Sequence, residues 1–242
     1  MLSVICPYND RSILEKELQA SLKTQRGVEY ETILIDAKQY GFCSAAETLN
    51  YAGSKAKGDY LVFLHQDIFF ENPNVLKQIN DFCKKNEFGI AGIAGCVLEN
   101  KKVITISNIC HGKEHTRVSK DKIDTPQEVR SVDECLFVIP KKIFEKIKFS
   151  NIGKTWHLYG TDYALQCRKN GYKALVFPIG DIWHLSDGYS LNINYFDSIQ
   201  KLAKLYQDQK VIVTIFGVWP TNLLILKIKS FYRKIRLILK GN

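Results

Sequence analysis

Tyr60–Phe70 reads YLVFLHQDIFF: five apolar residues, then His65, Gln66 and Asp67, then three more apolar residues. Such a run fits a strand buried on both faces, where a histidine and a carboxylate are tolerated only if something at the strand end needs them. Upstream the pattern repeats. LSVIC (Leu2–Cys6) is a short apolar run that ends at Pro7, Tyr8 and Asn9, and ETILID (Glu31–Asp36) ends in an acid. Between these runs the spacing predicts helices. One is opened by a Ser12/Glu15 capping box and lasts to about Leu22, one covers Ser44 to Lys57 and stops at Gly58, and one runs from Pro73 to about Asn86. Strands alternating with helices in this way predict an α/β fold with a mostly parallel sheet covered on both faces. Ligands of open parallel sheets bind at the carboxyl ends of the strands. Asn9, Asp36 and the His65/Asp67 pair all fall on that rim.

The second half changes character. FGIAGIAG follows the third helix, and VITISN and VRSVDECLFVIP predict added strands on either side of a polar, mobile stretch from His111 to Pro126. Residues 141–148 read as a short helix, and Thr161 to Asn170 as a longer one with Asp162 in its first turn and Gly171 at its end. ALVFP (Ala174–Pro178) is a strand, and GDIWHLSDG closes the compact part.

Composition narrows the class. The 242 residues are 45% hydrophobic and 24% charged, enough for one large core. The seven cysteines form no C-x-x-C pair and mostly sit in apolar runs, which predicts reduced, buried thiols in a cytoplasmic protein rather than disulfides or zinc. The net charge of +9 is concentrated at one end: from Lys201 onward there are nine Lys/Arg against the single acid Asp208. The first 200 residues are close to neutral, which argues against a nucleic-acid-binding core. No apolar window is long enough to span a membrane, because Lys227 and Lys229 interrupt the best one.

The order of these motifs resembles that of family 2 glycosyltransferases with the GT-A (Rossmann-like) fold. The residues that carry the likeness are P-Y-N after the first strand, the terminal Asp36 of the second, and LNYAGSKAKGDYLVFLHQD. AKGDYLVFLHQD is similar in particular to a prokaryotic branch in which H-x-D replaces the usual D-x-D. The resemblance covers about residues 1–190. It implies a glycosyltransferase domain over 1–200, its nucleotide-sugar half about 1–100 and its acceptor half about 101–200, followed by a basic helical tail over 201–242. It also implies a UDP-sugar donor and an inverting transfer to a hydroxyl.

On this resemblance Pro7, Tyr8, Asn9, Asp36, Asn50, His65, Gln66 and Asp67 bind the donor. Asp67 is a hard oxygen ligand for Mn²⁺ or Mg²⁺, with His65 and the late His184 completing the metal site. His65 instead reads as a hydrogen-bond partner of phosphate or ribose, and the whole triplet as a polar strand end before Asn72–Pro73. Asp36 reads alternatively as a turn-capping carboxylate, and Asn50 as an exposed helix residue. His184, between apolar neighbours, also reads as a satisfied core histidine. The family places its base in an E-D-x-D-like motif before R-x-x-x-G-Y. Here YGTDYALQCRKNGY puts Gly160 at the base position and leaves Asp162 as the one carboxylate of that turn, so Asp162 is assigned the base. Asp162 is equally an acid favoured by the helix dipole, in which case Asp133 or Glu134 is the next candidate. Asp133, Glu134, Trp156, His157 and Tyr159 form the expected acceptor site, the aromatics stacking on sugar faces or packing in the core.

In the tail, Leu224, Ile228, Phe231, Ile235 and Ile238 share one helical stripe, and Lys229, Arg233, Arg236 and Lys240 lie nearly opposite. A basic amphipathic helix of this kind lies on anionic membrane surfaces. The expectation is a cytoplasmic enzyme held peripherally at the inner face of the plasma membrane, acting on a glycan or lipid-linked acceptor in surface polysaccharide synthesis. The alternative for the helix is packing on its own domain or in a homodimer. A sugar nucleotidyltransferase lacks its phosphate loop here, since CPYNDRS is not rich in glycine and arginine, and a dehydrogenase lacks G-x-G-x-x-G. A reading from another class is a membrane-docked scaffold with a decayed glycosyltransferase fold.

Overall fold

The computed structural model describes residues 1–187 and 191–239. Its centre is a seven-stranded sheet in the order Gln127–Glu128, Ala174–Val176, Ile90–Gly92, Leu136–Pro140, Tyr60–Leu64, Leu2–Tyr8, Tyr30–Asp36. Five of these strands point the same way, while Leu136–Pro140 and Gln127–Glu128 run against them. Strand alternation explains the two layers of core. Leu2, Val4, Cys6, Val62, Leu64, Leu136 and Val138 point to one face, with Leu14, Leu18, Leu76 and Ile79 of the covering helices. Ile5, Leu61, Phe63, Phe137 and Ile139 point to the other, against Leu49, Ala52, Phe144 and Tyr163. The α/β sheet flanked by helices is therefore the one predicted, with one difference. Leu136–Pro140 does not flank a loop; it is wedged between the third strand and Ile90–Gly92 at the middle of the sheet, which its wholly apolar LFVIP makes possible.

Local signals also differ in detail. The first helix begins at Arg11, because the Asp10 carboxylate caps it through the Ile13 N–H at 3.0 Å; Ser12 lies inside the first turn. The helix continues through a π-helical stretch, Glu15–Gln19, to Leu22. Ser44 caps Ala45–Lys55 as expected, accepting from the Glu47 N–H at 3.2 Å. Gly58 is required by close approach: a Cβ there would lie 2.6 Å from the Ser3 nitrogen. The 111–126 stretch carries a hairpin, Cys110–His111 with Thr116–Arg117, that pairs alongside Ile182–His184. His115 stacks on Trp183 at 4.6 Å, so this end of the stretch is pinned.

The C-terminal part is not a detached tail. The boundary expected at residue 200 falls inside the helix Ile193–Leu205, whose Tyr195, Phe196, Ile199 and Leu202 form a third core. That core also takes Leu158 and Leu165 from the main domain, Trp219 from the hairpin Val211–Thr214/Gly217–Pro220, and Leu226 from the last helix, Leu223–Leu239. Lys240 lies outside the described residues. Trp219 is fully buried, with the Lys229 ammonium 5.5 Å and the Arg233 guanidinium 4.9 Å from its ring. Arg233 also donates to the Phe216 carbonyl at 2.7 Å. Arg233, expected on the basic face of a helix at a membrane surface, is drawn inward by a tryptophan and a carbonyl. Trp219→Ala should lower the unfolding free energy by about 3–5 kcal/mol, measured by urea denaturation, because it leaves a cavity at the junction of hairpin and helix.

Candidate functional site

The carboxyl ends of the first three strands meet in a cleft of about 370 Å³, lined by Pro7, Tyr8, Asn9, Ala37, Lys38, Phe42, His65, Gln66, Asp67, Trp156 and Tyr159. That volume lies in the range of small-molecule sites. Gln66 braces it rather than facing a ligand. Its Oε1 accepts the N–H groups of Asn9 and Asp10, both at 3.0 Å, and its Nε2 donates to Asn9 Oδ1 at 2.9 Å. The loop after the first strand is thereby locked to the end of the third. Asp36 lies level with Tyr8 in the parallel register, and its Oδ1 accepts the N–H groups of Lys38 and Gln39 at 3.1 Å. It shapes the turn that presents Ala37 and Lys38 to the cleft.

His65 and Asp67 line the cleft floor and the buried His184 meets them there, with one ligand atom from each within 4.8 Å of the others. The strand Ile182–His184 pairs antiparallel with Ile68–Phe70, which sets His184 opposite Ile68, one residue past Asp67. His184 Nε2 lies 3.2 Å from Asp67 Oδ1 and 2.9 Å from Ser186 Oγ. Burial alone would raise the Asp67 pKa, but the hydrogen bond and charge of His184, helped by His65 and Ser186, hold it well below the usual carboxylate range. His65 is kept neutral by burial and by the nearby His184, and its Nε2 meets the Tyr159 hydroxyl at 3.0 Å. Two imidazoles and an ionised carboxylate form a borderline donor set that fits Mn²⁺ better than Mg²⁺. The cluster expected from the sequence is thus brought together.

Other predicted residues are placed elsewhere. Asn50 does not reach the cleft; it holds the Phe149 backbone, donating to the carbonyl and accepting from the N–H, both at 3.0 Å. His157 is turned away as well, its ring edge-on to Tyr195 at 5.8 Å. Asp162 is 1% exposed, and its carboxylate accepts from Ser150 N–H (2.9 Å), Ser150 Oγ (3.0 Å), Gln166 Nε2 (3.0 Å) and Tyr206 OH (2.6 Å). A base needs a free lone pair aimed at its substrate, and here the protein uses them. The assignment of Asp162 as base is corrected on that ground: the side chain ties the helix Tyr159–Lys169 to the loop before it.

Asp133 and Glu134, by contrast, are half-buried beside a second recess behind Tyr159, whose far wall is Tyr195 and the hairpin tip Thr214–Phe216. The Tyr159 hydroxyl joins the two spaces, 3.0 Å from His65 Nε2 and 3.4 Å from the Glu134 carbonyl. Sequence reasoning missed the hairpin tip and Phe42. Phe42 follows Asp36 by six residues in a loop with no periodic signal, and the hairpin lay in the part read as tail. Asp162→Asn should reduce stability by about 1–3 kcal/mol in urea denaturation yet leave the turnover of the folded protein within a few-fold of the parent.

The model of the Glycosyltransferase like family matches residues 3–207. No curated protein matches the sequence. Among solved structures, S. aureus TarS 1-349 in complex with UDP-GlcNAc aligns at TM-score 0.58 and 14% identity, over 84% of this chain and 65% of that one. The uncomplexed TarS 1-349 aligns at TM-score 0.56 and 14% identity, over 84% and 64%. GalNAc-T7 with UDP, GalNAc and Mn²⁺ aligns at TM-score 0.55 and 14% identity, over 86% and 49%. This chain therefore spans less than two thirds of these neighbours, and the likeness establishes the GT-A fold. The family match covers most of the sequence, and the chain belongs to that glycosyltransferase family.

Proposed function

We propose that this glycosyltransferase moves a sugar from a UDP-sugar to a hydroxyl of a glycan or lipid-linked acceptor, with inversion at the anomeric carbon. The observation that carries the reading is the His65–Asp67–His184 cluster on the floor of a cleft at the carboxyl rim of the sheet. The neighbours solved with UDP-GlcNAc, and with UDP and Mn²⁺, support the donor class.

In this reading Pro7, Tyr8, Asn9, Ala37, Lys38 and Phe42 hold the nucleoside, and Asp36 fixes the turn that carries two of them. The diphosphate lies over His65, Asp67 and His184. A divalent cation bound there supplies charge neutralisation for the leaving diphosphate. Asp67 is already ionised and is held in place by His184, so little reorganisation is needed when charge develops. Tyr159 orients the His65 ring, and Trp156, 42% exposed at the cleft mouth, offers a face for a sugar to stack on. The scaffold alternative is disfavoured because the cleft keeps its polar floor: a decayed site has no reason to retain a buried carboxylate between two histidines.

The last helix supports action at a membrane. It packs on the protein through Leu226 and Ser230 and turns Leu224, Ile228, Phe231, Ile235 and Ile238 outward, Phe231 with 62% exposure. The helical repeat places Lys227 at one border of this apolar stripe and Arg236 beyond its other side, while Lys229 lies nearly opposite and turns to Trp219. Apolar residues outward with basic residues at the borders is the arrangement of a helix lying in the interface of an anionic bilayer. No helix among the described residues is long and apolar enough to cross a membrane. A second copy of the chain covering the stripe is the competing occupant.

Two outcomes are expected. Calorimetry across UDP-, GDP- and CMP-sugars with Mn²⁺ should show binding of UDP-sugars, and donor turnover should fall at least 100-fold in Asp67→Ala; equal turnover in that variant would sink the donor site. Separately, vesicles containing phosphatidylserine should sediment the protein while neutral vesicles should not, and Phe231→Glu should lose this binding. A concentration-dependent dimer that Phe231→Glu dissociates, with no vesicle binding, would replace the membrane by a second copy.

A further inference from the structure

We infer that the base of this transferase is Glu134, a carboxylate delivered from the strand side into the space that the side chain of residue 160 leaves empty. The inference rests on the transferase reading above and names the residue that completes it. Three observations lead there. Gly160 opens the helix Tyr159–Lys169, and a Cβ built on it would lie 3.2 Å from Glu134 Cγ and 2.8 Å from the Val132 carbonyl. The space over the first turn of this helix is thus already filled, and the group that fills it on the open side is the Glu134 side chain.

Second, that carboxyl faces the N–H groups of Leu158, Tyr159 and Gly160, so the helix N-terminus orients it. Third, Glu134 is half-buried beside the recess bounded by Tyr195 and the hairpin tip, and its own backbone carbonyl meets the Tyr159 hydroxyl that touches His65. It therefore stands one aromatic ring away from the His65 end of the cleft. Asp162, the acid next along this turn, is consumed by four hydrogen bonds. Asp133, whose Oδ1 accepts the Cys135 N–H at 3.0 Å, is the neighbouring acid that the test sets beside Glu134.

The step balances simply. An acceptor oxygen forms a bond to the anomeric carbon while the bond from that carbon to the phosphate oxygen breaks. The electron pair leaves with the UDP, and the hydroxyl proton passes to a Glu134 carboxylate oxygen, then to water. Burial and the neighbouring Asp133 push the Glu134 carboxyl up to about 8, where a base accepts a proton readily near neutral pH. The titratable groups around it are Asp133, Tyr159 and Tyr195, with Arg233 acting on Tyr195 from the last helix.

The test compares wild type, Glu134→Gln and Asp133→Asn in transfer to the acceptor, in UDP affinity with Mn²⁺, and in thermal unfolding. Glutamine keeps an acceptor oxygen for the helix N–H groups but takes up no proton. The expected result is a loss of 10²–10⁴-fold in transfer, with UDP affinity and unfolding near wild type. The wild-type transfer rate should rise with pH and level off above about 8, and this rise should vanish in Glu134→Gln. Glu134→Asp, which withdraws the carboxylate by one methylene, should recover part of the rate and the pH rise. If Glu134→Gln transfers within three-fold of wild type, or if Asp133→Asn alone removes the pH rise, Glu134 is not the base. Should wild type itself fail to bind UDP, the donor reading fails instead, a result visible before any variant is made.

Discussion

One hydrogen bond joins the two halves of this site: the His65 N–H donates to the Cys135 carbonyl at 2.9 Å. It continues the antiparallel pairing of Tyr60–Leu64 with Leu136–Pro140 by one residue beyond the last matched pair, Leu64 with Leu136. Because that pairing is antiparallel, the end of one strand lies against the beginning of the other. His65–Asp67 and Asp133–Glu134, about seventy positions apart in the sequence, are therefore neighbours. A parallel strand in the same place would have carried the turn before it to the far edge of the sheet. The nearness of the cleft floor to these two acids depends on the direction of a single central strand.

The same strand marks the limit of what the sequence discloses. Alternation of apolar and polar runs gives the first three strands, their covering helices and the polar rim, since each of those signals is local. His65 and Asp67 are legible because they interrupt an apolar run, and His184 because it does the same later. The direction and place of LFVIP are not local properties: five apolar residues read alike in either orientation and at any interior position. Without that placement, the Asp133–Glu134 pair reads as an acceptor-site candidate and second choice for the base, with nothing local to set it beside His65. Asp162 illustrates the opposite error. An acid in the first turn of a helix is chemically apt for a base, yet the groups that consume it, Ser150 and Tyr206, come from separate parts of the chain.

Asn50 and the last helix teach a related lesson about faces. Helical periodicity tells which residues share a side, not what that side meets. Asn50 shares a helix with cleft-side elements but turns to the Phe149 backbone. In the last helix the apolar stripe was legible, but its direction was set elsewhere. Leu226 and Ser230 form the narrow buried seam, Trp219 draws Lys229 and Arg233 toward the hairpin, and the broad apolar stripe is left facing outward. The hairpin held by those two cations is also the wall of the recess beside Glu134. The outward apolar stripe and the wall of that recess are consequently packed into one core.

The electrostatics of the two carboxylates give the arrangement its chemical sense. Asp67 and Glu134 are both withdrawn from solvent, and burial alone would raise both. They diverge because of their partners: Asp67 lies against His184 and His65, whereas Glu134 lies next to another acid, Asp133. The first is held ionised, whereas the second is pushed up to about 8. Two acids whose surroundings push them apart in this way have separate tasks. On the reading proposed above, one would help hold the cation beside the leaving diphosphate, and the other would take the proton of the arriving hydroxyl. Tyr159 stands between the two regions, its hydroxyl meeting the His65 ring on one side and the Glu134 backbone carbonyl on the other.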